Sequence, residues 1–210
     1  RVHRRASDAS AMRIIQIPER WQGRAIVITE ATVPMAWFSE DEVRAAERYR
    51  LQRRRDEFFL SRAAAKTLAV DVGLVTDPRE CRIEQRRIAD RHLSLSHSAP
   101  YAGAAIDAQP VGIDVQVVRD TSENASHLFL TDAEADVMRS LSLADRMIHF
   151  WSAKEAAWKQ RGGAIETLKR MPISLQSQTA DGLRFDSVET VRIGDVVVAL
   201  TLAPAWGTLA

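Results

Sequence analysis

Cysteine is almost absent from this sequence: Cys81 is the only one in 210 residues. One thiol closes no intramolecular disulfide and builds no cysteine-rich zinc site, so disulfide-stapled and zinc-ribbon scaffolds are excluded. Long apolar runs are also missing. The longest aliphatic stretch, Val196 to Leu200, falls far short of the about 20 residues that span a bilayer as a helix, so no membrane partner is expected. Neither sign of charge dominates. Against 28 Asp and Glu stand 29 Lys and Arg, and a net charge of +1 gives no global field to draw the chain to nucleic acid. The N-terminus lacks the charged-then-apolar order of a signal peptide, which makes the cytoplasm the expected location.

The composition is that of an ordinary globular chain, 46% hydrophobic and 27% charged, which excludes disordered, collagenous and fibrous classes. Its length suits one large domain or two halves of about 100 residues. Residues 1–11, ahead of Met12, read as a leader or a disordered segment. A β-branched stretch from Arg24 to Val33 predicts a strand. Ser39 with Glu42 forms a capping box, and the interval 41–72 lacks Gly and Pro, so two helices or one broken helix are expected there. Strands follow at 81–84, 93–98, 102–106 and 111–118. Thr131 with Glu134 is a second capping box opening a helix to about 140. A longer helix spans 144–161 and stops at Gly162-Gly163. Four short antiparallel strands fill 174–202. The expected fold is α+β, with an N-terminal half over 12–118, a C-terminal half over 119–210 and a switch near 118–128.

Four groups of residues stand out chemically. In the strand 111–118, alternation puts Val111, Ile113, Val115 and Val117 on one face and Gly112, Asp114 and Gln116 on the other. A carboxylate inside such a strand is either at a wet face or compensated by a partner. Gly112 permits close approach, and Asp114 has the character of a Mg²⁺ ligand. In the 144–161 helix, Ser152, Glu155 and Lys159 share one narrow face, as either an exposed i,i+4 pair or part of a site. Ser94, Ser96, His97 and Ser98 form a strand end that either packs or holds phosphate oxygens. Arg62 and Lys66, i,i+4 neighbours on a basic helix, either face solvent or clamp a phosphate. Together these describe a site for a metal and a polyphosphorylated ligand.

The order of these groups resembles the Sfp-type 4′-phosphopantetheinyl transferases. The strand signature stands as Val111-Gly112-Ile113-Asp114-Val115. About forty residues later comes the helix signature Trp151-Ser152-Ala153-Lys154-Glu155-Ala156-Ala157-Trp158-Lys159. Leu95-Ser96-His97-Ser98 is similar to the family's Ser-His-Ser segment, and Phe59 to Leu68 to its basic helix, so the likeness covers about residues 39–165. It implies two similar α/β halves related by a pseudo-twofold and sharing a cleft, in a monomer that acts as a pseudo-dimer. It implies Mg²⁺-dependent transfer of phosphopantetheine from coenzyme A to a serine of an apo acyl or peptidyl carrier protein. Adenosine 3′,5′-bisphosphate is the released product, and the setting is lipid or secondary-metabolite biosynthesis. By position, Asp114 and Glu155 would bind the metal, with Gln116 standing where many members carry a further acid. Glu155 would be the base and Lys159 would contact phosphate, helped by Lys154. Ser96 and His97 would hold phosphates of the coenzyme, and Arg62 with Lys66 would lie near its 3′-phosphate. The family's Gly-Lys-Pro is missing, and Arg87 or Arg91 would replace its charge. Two other readings compete: a coenzyme A or nucleotide-binding homologue made inert by Gln116, and a nucleic-acid binder using the basic 44–66 helix.

Overall fold

The computed structural model describes residues 12–29, 33–120, 123–163 and 167–202. The expected leader at 1–11 lies outside these residues. Ten strands are present: β1 (Arg13–Ile15), β2 (Ala25–Thr29), β3 (Arg87–Ile88), β4 (Arg91–Ser98), β5 (Tyr101–Asp107), β6 (Ile113–Val117), β7 (Leu175–Gln178), β8 (Gly182–Phe185), β9 (Val188–Ile193) and β10 (Val196–Thr201). The α-helices are α1 (Glu40–Glu47), α2 (Gln52–Asp71), α3 (Asp132–Ser140) and α4 (Arg146–Gln160). Both capping boxes form as read, Ser39 with Glu42 on α1 and Thr131 with Glu134 on α3. The short strands β1 and β3 were not anticipated, because two or three residues carry too little alternation to show a period.

The strands build two five-stranded antiparallel sheets, ordered β1-β2-β5-β4-β3 and β6-β10-β9-β8-β7. This corrects the expected boundary on one point. The strand that carries Asp114 was read as closing the first half, but it pairs with β10 of the second sheet, Asp114 opposite Ala199. The change of sheet therefore falls between Asp107 and Ile113, ahead of the switch expected near 118–128. With β6 moved, the halves share an order of elements, although the first opens on an extra strand, β1, and its meander has three strands (β3 to β5) against four (β7 to β10) in the second. Each runs through a strand, a short capped helix, a long helix and then a meander whose last strand returns beside the first, β5 beside β2 and β10 beside β6.

Each long helix covers its own sheet. Ala63, Ala64, Leu68 and Ala69 of α2 pack on Ile28, Leu93 and Ala104; Phe150, Ala153 and Ala157 of α4 pack on Leu183, Phe185 and Ala199. A third apolar cluster joins the sheets through Val27 and Ala105 of one and Ile113, Val115 and Val198 of the other. Outward N–H groups of the edge strand β6 are met by hydroxyls instead of a neighbouring strand. Ile113, Val115 and Val117 donate to Ser94, Ser96 and Ser98 Oγ of β4, each at 3.1 Å. A buried edge would otherwise leave these donors unpaired. The alternating serines are thus the seam between the halves.

Candidate active site

Gly112 decides how closely α4 approaches β6. A Cβ added at this glycine would lie 1.9 Å from the carbonyl oxygen of Ala156, so only glycine lets the helix backbone rest on the strand. That contact brings one face of α4 over Asp114. Lys159 Nζ donates to Asp114 Oδ1 at 2.7 Å, to Ser96 Oγ at 3.0 Å and to the carbonyl of Ile113 at 3.1 Å. Ser96 Oγ also donates to Asp114 Oδ1 at 2.9 Å. Asp114 is 1% exposed, and its second oxygen, Oδ2, is buried without a hydrogen-bond partner. A bare carboxylate oxygen in that setting is costly unless a cation or a donor arrives.

Glu155, one turn before Lys159, completes the group. Burial pushes its carboxyl above the ordinary carboxylate range, the charge of Asp114 pushes it further, and Lys159 pulls it back. Two acids whose charges oppose one another, one with an unpaired oxygen, fit a divalent cation, which would relieve both. Among the described residues no three His, Cys, Asp or Glu side chains cluster as metal ligands. Two carboxylates suit Mg²⁺, which keeps water and phosphate oxygens in its remaining positions, better than a metal that needs an all-protein cage. Gln116 lies two residues beyond Asp114 in β6, half-buried. It borders an apolar pocket of about 300 Å³ formed with Ser98, Met147, Ile148 and Trp151. The exposed Leu128 is at the rim of the same pocket.

On the other side of Lys159, a cleft of about 240 Å³ is lined by Arg62, Arg86, Ser94 and Trp158. Arg62 stacks its guanidinium 3.6 Å above the Phe58 ring and lies 3.6 Å from Glu42. His97 points toward α2, where its Nε2 is 3.2 Å from Glu57 Oε2. Burial lowers its affinity for a proton, as do Arg54 and Lys159, against the pull of Glu57.

Several expectations are redistributed. Lys66 and Lys154 were placed with the coenzyme, but both are fully buried. Lys66 Nζ donates to the carbonyl of Cys81 at 2.7 Å and pairs with Glu42 at 3.1 Å. Lys154 Nζ donates to Glu134 Oε2 at 2.7 Å and to the carbonyl of Leu168 at 3.3 Å. Each ties a long helix to the capping-box acid of the preceding short helix, an ion pair with no face to the cleft. Arg87 bonds to the carbonyl of Asp90 and lies 3.2 Å from His92 Nε2, and Arg91 pairs with Asp90. The cleft wall is supplied by Arg86, in a turn where Gln85 and Arg86 both have positive φ, 44° and 61°. Nothing in a run of arginines tells which one a turn aims inward, so Arg86 and Trp158 were missed. Ser96 lies beside Asp114 and Lys159, and its hydroxyl is engaged by Val115 N–H, Asp114 and Lys159.

Residues 110–200 match the model of the 4′-phosphopantetheinyl transferase superfamily. The match begins just before β6 and ends in β10, so it covers the second sheet. Among curated proteins, the chain is 32% identical over 129 residues to the 4′-phosphopantetheinyl transferase psf-1 of Bacillus pumilus, covering 58% of this chain and 52% of that one. It is 31% identical over 81 residues to the 4′-phosphopantetheinyl transferase Sfp of Bacillus subtilis (strain 168), covering 37% and 36%. The chain thus spans about a third to a half of the length of these relatives. Residues 110–200, which hold the signatures at Asp114 and Trp151–Lys159, are thus similar to the 4′-phosphopantetheinyl transferase superfamily, and parts of the chain are similar to its Sfp-named members.

Proposed function

We propose that this chain transfers the 4′-phosphopantetheine arm of coenzyme A to a serine hydroxyl of an apo acyl or peptidyl carrier protein, releasing adenosine 3′,5′-bisphosphate, with Mg²⁺ as its cofactor. The observation that carries this reading is the meeting of Asp114, Glu155 and Lys159 beside an arginine-lined cleft, with Asp114 Oδ2 buried and unpaired. Asp114 and Glu155 would hold the metal, with Gln116 beside them, and bound there it would neutralise charge on the pyrophosphate oxygens. Lys159 supplies a fixed cation at the same wall, and Arg62 and Arg86 receive the nucleotide end of the coenzyme. Glu155, held above the ordinary carboxylate range, takes the proton of the attacking serine. The serine oxygen bonds the β-phosphorus as the bond to the bridging oxygen breaks, and the bisphosphate leaves. The apolar pocket beside Gln116, with Leu128 exposed at its rim, gives a protein substrate a surface next to these groups.

The shared order of elements in the two halves supports the pseudo-twofold reading, with one polypeptide supplying both walls of the cleft as a monomer. No helix among the described residues is long and apolar enough to cross a membrane, which accords with cytoplasmic action on carriers. Intact-mass measurement of several apo carriers incubated with the protein, coenzyme A and Mg²⁺ tests the proposal. The expected result is a gain of one phosphopantetheine arm. Coenzyme A binding without any gain across unrelated carriers would favour an inert binder instead.

A further inference from the structure

One buried acid stands among cations of α2 and β4 beside the proposed site. Glu57, on α2, is 8% exposed in a helix stretch that is otherwise strongly basic. Its Oε2 lies 2.9 Å from Arg54 Nη1 and 3.2 Å from His97 Nε2, and its Oε1 lies 3.4 Å from Arg53 Nε. Arg54 Nη1 is itself 3.5 Å from His97 Nε2. The two arginines are ordinary i,i+4 and i,i+3 partners on one helix. His97 is not: it comes from β4, forty residues further on, and its outward nitrogen is turned to the acid. The corner adjoins the proposed site along β4, where Ser96, the residue before His97, bonds Lys159 and Asp114.

Resting on the reading above, we propose that Glu57 is an affinity-setting residue: an internal anion that occupies His97 and Arg54 and competes with a phosphate of the ligand for them. A phosphate oxygen that bonds His97 Nε2 must take the position the Glu57 carboxylate now holds, or share it at the cost of like-charge repulsion. The charge-assisted bond that Arg54 offers, and the hydrogen bond that His97 Nε2 offers, pass to the ligand when the competing acceptor is removed. Coenzyme A offers two phosphate groups of this chemistry, its pyrophosphate and its 3′-phosphate, and the test separates them.

Dissociation constants for coenzyme A and 3′-dephospho-coenzyme A, measured by calorimetry with Mg²⁺, decide the matter in the intact chain and two variants. Glu57→Gln keeps the size of the side chain and should tighten coenzyme A about tenfold, a gain of about 1.4 kcal/mol. If the 3′-phosphate is the competitor, the dephospho form stays unchanged; if the pyrophosphate is, both tighten. Arg54→Gln, at a half-exposed side chain that leaves folding undisturbed, should weaken coenzyme A by a similar factor. Unchanged or weaker binding in Glu57→Gln overturns the proposal. So does an unchanged affinity in Arg54→Gln, which decides the question even where Glu57→Gln does not fold. Failure of the transfer reading looks different: coenzyme A binds and responds to both variants, but no carrier gains mass. Absence of nucleotide binding throughout overturns both.

Discussion

Lys159 and Asp114 meet across the two elements that carry the family signatures, Nζ to Oδ1 at 2.7 Å, with Ser96 Oγ within 3.0 Å of both. This contact ties α4 to β6 and to the seam serine of β4 at once. Lys159→Met would leave the buried Asp114 carboxylate with the Ser96 hydroxyl as its remaining side-chain donor and no counter-charge. Breaking a buried pair from one side costs about 3–5 kcal/mol, and the lower end applies here because Lys159 keeps 16% of its side chain exposed. Urea unfolding should show that loss, together with loss of transfer. Asp114→Asn retains the shape but strips Lys159 of its counter-charge, so it should also lose stability, though less than Lys159→Met because the partly exposed ammonium can turn to water, while abolishing Mg²⁺-dependent activity. A stable, fully active Asp114→Asn would remove Asp114 from the metal site.

Glu155 predicts a pH dependence whose sign is fixed by its surroundings. Burial first, and then Asp114, hold its carboxyl above its usual value of 4.5. A folded-state pKa above the unfolded one favours the protonated form in the native state. Its contribution is therefore complete below about pH 4.5 and is lost as pH rises through the elevated value. Without divalent cation, melting temperature should carry a falling component over that range, and Glu155→Gln should remove it. Mg²⁺ should stabilise the parent chain at neutral pH and leave Glu155→Gln nearly unaffected. Transfer should be lost in the variant while its fold persists.

Gly112 is the least tolerant position of the site by geometry. The added methyl of Gly112→Ala would overlap the Ala156 carbonyl, a main-chain atom inside a helix, so relief requires α4 to move off β6. Overpacking of this kind costs about 1–3 kcal/mol. Opening that 1.9 Å contact to an allowed distance takes a shift of about 1 Å, which also separates Lys159 and Glu155 from Asp114. The expected signature is a lower melting temperature with a disproportionate fall in kcat, because the reacting groups lose alignment more than the chain loses stability. Wild-type turnover in Gly112→Ala would show that the close packing of α4 is dispensable.

The sequence made much of this legible, and particular residues show why the rest was not. Capping boxes at Ser39 and Thr131 and the helix stops at Gly73 and Gly162 are local codes, so α3, α4, the start of α1 and the end of α2 were readable within a few residues, whereas the break between α1 and α2 was not placed. The alternation in 111–117 assigned both faces of β6 correctly, and Gly112 signalled the close approach. Local codes do not say which sheet a strand joins. Asp114 was placed in the first half because β6 follows β5 closely, whereas pairing with β10 is set by contacts more than eighty residues apart. Position in a motif likewise does not report burial. Lys66 and Lys154 share the length and charge of a phosphate ligand, and only the third dimension shows Glu42 and Glu134 behind them. The alternating Ser94, Ser96 and Ser98 left packing and phosphate binding both open, because three hydroxyls on one strand face suit a ligand and equally an edge strand in need of acceptors.

The two buried lysines lead to a prediction that separates support from chemistry. Glu134 is the densest knot: it accepts from Thr131 N–H, from Lys154 Nζ and from Ile173 N–H. Burial pushes its carboxyl up, but these three donors hold it below the ordinary range. The native state therefore gains from its ionised form above about pH 4.5, and that gain disappears as pH falls through the depressed value. Lys154→Met strips the carboxylate of its cation and should cost about 3–5 kcal/mol, with acid sensitivity shifted toward neutral pH. Replacing both partners, Glu134→Leu with Lys154→Met, removes the stranded charge but leaves the Thr131 and Ile173 N–H groups unpaired. The double variant should therefore recover part of the loss and not all of it. In either variant, transfer measured well below the melting temperature should stay within about threefold of the parent, since a pair with no face to the cleft acts on turnover only through the seating of α4. A loss of a hundredfold in kcat with unchanged stability would instead return Lys154 to the phosphate-binding set.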